Sequence, residues 1–229
     1  MRVDRWIEFY TPIVVVLTLD AVILAFLAWA YHSPRFAKYR ISPKASMKVS
    51  RRTRLLNIAW SSQLSLLLVF GLPYLLYEST FRVGPEGIGI KIFEILVILL
   101  VYDFAYYWLH RAMHHKRLMK YVHAVHHRVH NPTAMESFYL HPLELFAGLA
   151  LLMTCTWAVG PVHVHSFAVV FLIHSTLNIT VHSGLVSGRW WLWPLDHLTV
   201  KHHIHHAGEF DKNYASLTPL PDMLFGTRG

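Results

Sequence analysis

What most limits the fold of this chain is its division into long apolar blocks. They read "PIVVVLTLDAVILAFLAWAY" (12–31), "NIAWSSQLSLLLVFGLPYLLY" (57–77), "IGIKIFEILVILLVYDFAYYWL" (88–109), "PLELFAGLALLMTCTWAVG" (142–160) and "PVHVHSFAVVFLIHSTLNITV" (161–181). Each has about the twenty residues that a helix needs to cross the hydrocarbon core of a bilayer. Hydrophobic residues make up 54% of the 229 and charged ones 15%, an imbalance unlike that of an ordinary soluble domain. The expectation is an all-α integral membrane protein, a single membrane domain over residues 1–229 with four to five transmembrane helices. The first apolar run is longer than the core of a signal peptide and has no small-x-small site after it, so it is expected to stay as an anchor. Asp20 inside it is either a polar residue at a helix interface or a functional one.

The formal charge is +8, but the basic residues concentrate in "PRFAKYRISPKASMKVSRRTR" (34–54), between two apolar blocks. Such a loop fits the positive-inside rule and anionic headgroups, and it argues against nucleic acid as a partner. With residues 32–56 cytoplasmic, the loop 78–87 falls outside. The segment 110–141, which carries Arg111, Lys116, Arg117, Lys120 and Arg128, and the chain from about His182 then return to the cytoplasm. Lone Cys155 offers neither a disulfide framework nor a thiolate cluster.

Of eighteen histidines, seven lie between 110 and 130 and five between 197 and 206, both windows at span ends on the same expected side of the membrane. On a helix His114 falls about 40° from His110 and His115 about 140° away, so helical geometry pairs His110 with His114. The offsets of three and four in "HAVHH" put His123, His126 and His127 on one face, and those in "HHIHH" do the same for His202, His205 and His206, with His203 turned elsewhere. A metal needs several lone pairs converging a little over 2 Å from it, roughly what such offsets deliver from two facing helices. Neutral imidazole suits iron, zinc, copper and nickel alike. His130 is read as a passenger, and His32, His163, His165 and His197 as polar anchors.

With "HRAMHH", "HAVHH", "HPLE" (141–144), "VHSG" (181–184) and "HHIHHAGEFDKNYASLTPLPDMLFGT" (202–227), the chain resembles the fatty acid hydroxylase and sterol desaturase superfamily of membrane di-iron oxygenases. The resemblance covers about residues 95–227, leaving 1–94 as N-terminal spans and basic loop. It implies a cytoplasmic histidine-rich helical cap holding two iron ions, with zinc a possible substitute in a purified sample. The implied ligands are His110, His115, His123, His126, His127, His182, His202, His205 and His206. His115 takes precedence over His114 because the wider class spaces its first pair as HxxxxH, and His114 is held in reserve. Where fatty acid hydroxylases resemble HxxxH, this chain has Asn178 before His182, so Asn178 is a weak or water-bridged ligand or none. His174, one turn earlier, is read as a polar residue inside the bundle in preference to a compensating ligand. His141 is assigned a supporting role, and Glu144, Asp196 and Asp211 are the nearest carboxylates able to orient imidazole N–H groups. Asn213 and Tyr214 look like the family's capping segment.

The resemblance further implies dioxygen as co-substrate and hydroxylation of a C–H bond on a membrane lipid, whether fatty acyl, sterol or sphingolipid. Desaturation at the same site is the runner-up. No GxGxxG after a strand and no CxxC ferredoxin pattern occurs, so electrons are expected from a separate b-type cytochrome or ferredoxin with its NAD(P)H reductase, docked on the basic face. A metal transporter or haem carrier is the reading from another class. Histidines at span ends rather than mid-span disfavour the first, and HxxHH triplets are not needed by the second.

Overall fold

The computed structural model describes residues 3–229. Five long helices form the body: α1 (Val3–His32), α2 (Arg51–Thr80), α3 (Ile88–Met113), α5 (Pro142–Val159) and α6 (Val164–Val181). Short α4 (Lys116–Tyr121) and α8 (Leu220–Leu224), together with the longer α7 (Trp193–Ala207), belong to a cap at one end. Among the described residues four helices are long and apolar enough to cross a membrane, namely 6–32, 51–80, 142–159 and 164–181. α3 is equally long, yet it carries Lys91, Glu94 and Asp103 and is not one of the four.

Local chemistry sets where these helices begin and end. Ser50 caps α2, its hydroxyl accepting from Thr53 N at 3.1 Å. Pro142 opens α5, where its missing N–H costs nothing, and His141 before it accepts from Leu143 N at 3.1 Å. Gly160 at φ 106° ends α5 and turns the chain into α6.

α1 packs on α6, α2 on α5, and α3 on both α5 and α6. Phe9, Phe81 and Phe167 join α1, the end of α2 and α6 through ring contacts of 4.7 and 5.0 Å. The outward rows, with Leu67, Leu75, Ile88 and Phe93 exposed, are apolar. Lipid tails match such a surface, so association within the bundle rests on close packing and hydrogen bonds rather than on exclusion of water.

A parallel pair of strands, β2 (Phe81–Arg82) on β4 (Val162–His163), closes the end far from the histidines. There Arg82 bridges Glu86 and Glu94, and Glu94 also accepts from His163 N. His163 is therefore not an interfacial anchor. It is buried, and its Nε2–H donates to Gly84 O at 2.9 Å. At the opposite end β1 (Ser46–Met47) pairs antiparallel with β3 (Val129–Asn131), and Arg54 pairs with Glu136. The basic loop is thereby sewn to the histidine-rich cap.

Gly184 sits where this loop meets the end of α6. Its φ is 66°, its carbonyl accepts from Ile41 N at 2.9 Å, and a Cβ would lie 2.7 Å from Pro132 O. Gly184→Ala is expected to cost about 1–3 kcal/mol from backbone strain and the clash together. A thermal midpoint of the detergent-solubilised chain unchanged from the parent would contradict this.

Candidate metal centre

Four segments bring imidazoles to one place. The last turn of α3 supplies His110, and His114 follows as its C-cap. A 3₁₀ turn, not the α-helix expected from the offsets, carries His123, His126 and His127. His182 caps α6, and the last turns of α7 hold His202, His205 and His206. These rings form two groups whose nitrogens lie within 4.8 Å of one another: His110, His114, His123, His127 and His205 in the first, and His126, His182, His202 and His206 in the second. Neighbours in sequence are divided between the groups, His126 from His127 and His205 from His206, so each triplet serves both. The two groups touch where His127 stacks on His206 at 4.9 Å.

Hydrogen bonds on the outer side of the rings fix which nitrogen faces inward. Nδ1–H donates to Tyr214 O from His110 (2.8 Å), to Tyr139 O from His126 (3.1 Å), and to Asn178 O from His182 (2.6 Å). The same holds for Lys212 O from His205 (2.7 Å), Val129 O from His206 (2.8 Å) and Glu144 Oε1 from His123 (2.8 Å). A neutral ring that donates through Nδ1 presents a bare lone pair at Nε2. In the first group Nε2 of His123 lies 3.2 Å from that of His110 and 3.0 Å from that of His127. In the second, Nε2 contacts run from His126 to His182 (3.2 Å) and His206 (3.1 Å), and from His202 to His182 (2.9 Å) and His206 (3.1 Å). Lone pairs aimed at each other this closely repel unless a cation lies between them. The buried Nε2 atoms of His114 and His205 have no hydrogen-bond partner. The donor set therefore fits metal ions.

Burial keeps these rings uncharged. Desolvation, and for His114 the neighbouring imidazoles as well, lowers His114 to about 3, and desolvation lowers His123 to about 4. Burial followed by His126 takes His182 to about 3, and burial followed by the neighbouring imidazoles holds His127, His202, His205 and His206 below the ordinary histidine value. At neutral pH the lone pairs are free for a metal.

Eight of the nine ligands implied by resemblance are thus brought together, and His115 is not. α3 continues to Met113, so His114 stays on the face of His110, whereas His115 is exposed as the residue before α4. Helical geometry, not the HxxxxH spacing, describes this turn.

The supporting residues divide as follows. Glu144 orients His123, but Asp196 accepts from Ser187 and Gly188 to hold the loop before α7, and Asp211 is exposed. Neither of the last two reaches an imidazole of the groups through any hydrogen bond present. Asn178 acts through its main-chain carbonyl on His182, and His141 caps α5. His174 stands outside both groups, its ring edge-on to Tyr102. His130 is outside them too, with Nδ1 3.4 Å from His206 O, and His203 turns to Ser42. Asn213, at φ 60°, binds Lys201 O and Gly229 N, and Tyr214 supplies the carbonyl for His110.

Two carboxylates that sequence reasoning passed over hold the carboxy-terminal strap. Asp222, fully buried, accepts from Lys201 Nζ, Tyr214 N and Ala215 N, and Asp103 accepts from Leu217 N and Thr218. A charged residue in an apolar setting was the available signal for Asp103. Glu144→Gln is expected to lower metal affinity or turnover by about tenfold, since orienting partners of ligating histidines contribute about 10–100-fold. Unchanged metal retention and turnover would show that the contact with His123 is idle.

A cavity of ≈330 Å³ opens beneath the groups. His110, His123, His126, His182 and His202 form one end of it, and it descends between α1, α2, α3, α5 and α6 past Leu17, Val69 and Phe171. Its wall is mostly apolar.

The sequence model of the fatty acid hydroxylase family matches residues 95–227. Similar curated proteins include methylsterol monooxygenase 1 of Rattus norvegicus, 34% identical over 56% of this chain and 44% of that protein. Very-long-chain aldehyde decarbonylase GL1-11 of Oryza sativa subsp. indica is 34% identical over 58% of this chain and 52% of its own length. Delta(7)-sterol 5(6)-desaturase ERG3A of Gibberella zeae is 29% identical over 66% and 42%. The chain spans about half the length, or less, of these relatives. No solved structure matches it.

Proposed function

The chain belongs to the fatty acid hydroxylase family, and on that premise we propose that it is a membrane lipid hydroxylase using dioxygen and two iron ions. The observation that carries this reading is the meeting of nine inward-facing imidazoles with the head of an apolar cavity inside the bundle. His110, His114, His123, His127 and His205 would hold one ion, and His126, His182, His202 and His206 the other.

Neutral imidazole suits several metals alike, so the choice of iron rests on the resemblance to the family and not on the geometry of the two groups. Iron, when bound, supplies the activation of dioxygen needed to break an unactivated C–H bond.

The protein's own groups bind, orient and exclude water. The main-chain carbonyls and Glu144 hold the rings in one tautomer. Leu17, Val69 and Phe171 give a hydrocarbon tail a dry path from the bilayer towards the histidines. No side chain need act as acid or base.

The basic loop lies at the histidine end. By the positive-inside rule that end is the cytoplasmic one, where an acidic electron donor would dock. Desaturation at the same site is the second reading, supported by the similarity to the Gibberella zeae desaturase.

Mass spectrometry of lipids from cells with and without the chain tests the proposal. A lipid that gains one oxygen supports hydroxylation, and one that loses two hydrogens supports desaturation. An unchanged lipid profile in cells where the chain is present and metal-loaded counts against both.

A further inference from the structure

Deeper in the cavity lies a polar patch that takes no part in either metal group. On α1, Asp20 is buried, with a carboxyl oxygen accepting from Thr176 Oγ1 of α6 at 2.9 Å. His174 lines the same cavity with its Nδ1 buried and without a hydrogen-bond partner, and Asn178 lies one turn nearer the metal groups. Thr176 and His174 stand six and eight residues before His182. At 1.5 Å per residue the patch is about 9–12 Å along α6 from that ring.

A carboxyl and an imidazole within the bilayer's depth are costly to keep unless they have partners or a function. The Asp20–Thr176 bond explains how α1 is tied to α6. It does not explain an unpaired imidazole nitrogen on the wall of the same cavity.

We infer that His174 hydrogen-bonds a hydroxyl or carbonyl oxygen carried on the hydrocarbon of the lipid substrate, beyond its headgroup. That oxygen would sit about 9–12 Å from the carbon presented to the histidines. This rests on the oxygenase reading and narrows its substrate class to lipids already oxygenated at a second place. An unsubstituted acyl chain would fill the cavity yet leave His174 unpaired. The chemistry also implies that an earlier oxygenation or hydration step supplies the substrate.

The test is mass spectrometry of the lipids that stay with the purified full chain, compared with the total extract of the membranes it came from. The native chain should enrich lipids bearing a hydroxyl or carbonyl on the hydrocarbon by about tenfold, as one hydrogen bond with a buried polar partner allows. His174→Phe, which keeps a ring and removes both nitrogens, should abolish the enrichment, and His174→Gln, which keeps a polar group in place, should retain part of it. Metal content measured on the same samples should be unchanged in both variants, showing that the fold is intact. No enrichment in the native chain, or equal enrichment in His174→Phe, overturns the inference. Enrichment in a native chain that binds no metal would instead overturn the oxygenase reading and leave the patch standing.

Discussion

His206→Ala is expected to lower product formation by more than about a hundredfold and to reduce bound metal from about two ions per chain to about one. His206 is fully buried, its Nδ1–H is fixed on Val129 O at 2.8 Å, and its Nε2 lies 3.1 Å from both His126 and His202. Alanine removes one of the second group's four donors and leaves a void that water alone can fill. Losing an orienting partner typically costs about 10–100-fold, and losing the donor itself must exceed that. The effect should stay local: the first group does not contain His206, so its ion should remain. His130→Ala, next to His206 but outside both groups, serves as the control and should keep both metal and activity. Full activity in His206→Ala would mean that the second group is not a metal site.

The second large effect separates two adjacent residues. His114→Ala should cost more than about a hundredfold in product formation, together with metal from the first group, while His115→Ala should stay within about twofold. His114 is one of the five rings of that group and its buried Nε2 has no other partner. His115 is exposed, and its side chain does not even cap the helix it precedes. Measured side by side for turnover and metal content, the pair asks whether helix geometry or the spacing implied by resemblance governs this turn. The reverse outcome, with His115 essential and His114 dispensable, would require α3 to end earlier than Met113.

Much of this arrangement was legible in the residues. The apolar blocks gave the long helices, because about twenty apolar residues in a row have few other uses. Offsets of three and four picked out His123, His126, His127, His202, His205 and His206 without coordinates. They could not tell which ring joins which group, since that depends on how a 3₁₀ turn faces α7 across residues far apart in the chain. His115 was preferred to His114 because spacing borrowed from a family outweighed the simpler helical rule, and the structure leaves it outside both groups. Asp196 and Asp211 were near in sequence and elsewhere in space. The acceptors that orient most of the rings are main-chain carbonyls of Val129, Tyr139, Asn178, Lys212 and Tyr214, atoms that every residue type carries. No sequence pattern marks them. The charged residues of α3 were visible, but their use was not: Asp103 anchors the strap and Glu94 the far end.

X-ray absorption at the iron edge, with metal quantified on the same sample, is the most direct measurement. The full chain should be taken from iron-replete membranes without chelators. Two iron ions per chain, each in a shell dominated by imidazole nitrogen, is the expected result. An iron-free chain with both groups intact, or a shell made mainly of oxygen or sulfur, would contradict the two-group imidazole site on which the proposed chemistry stands.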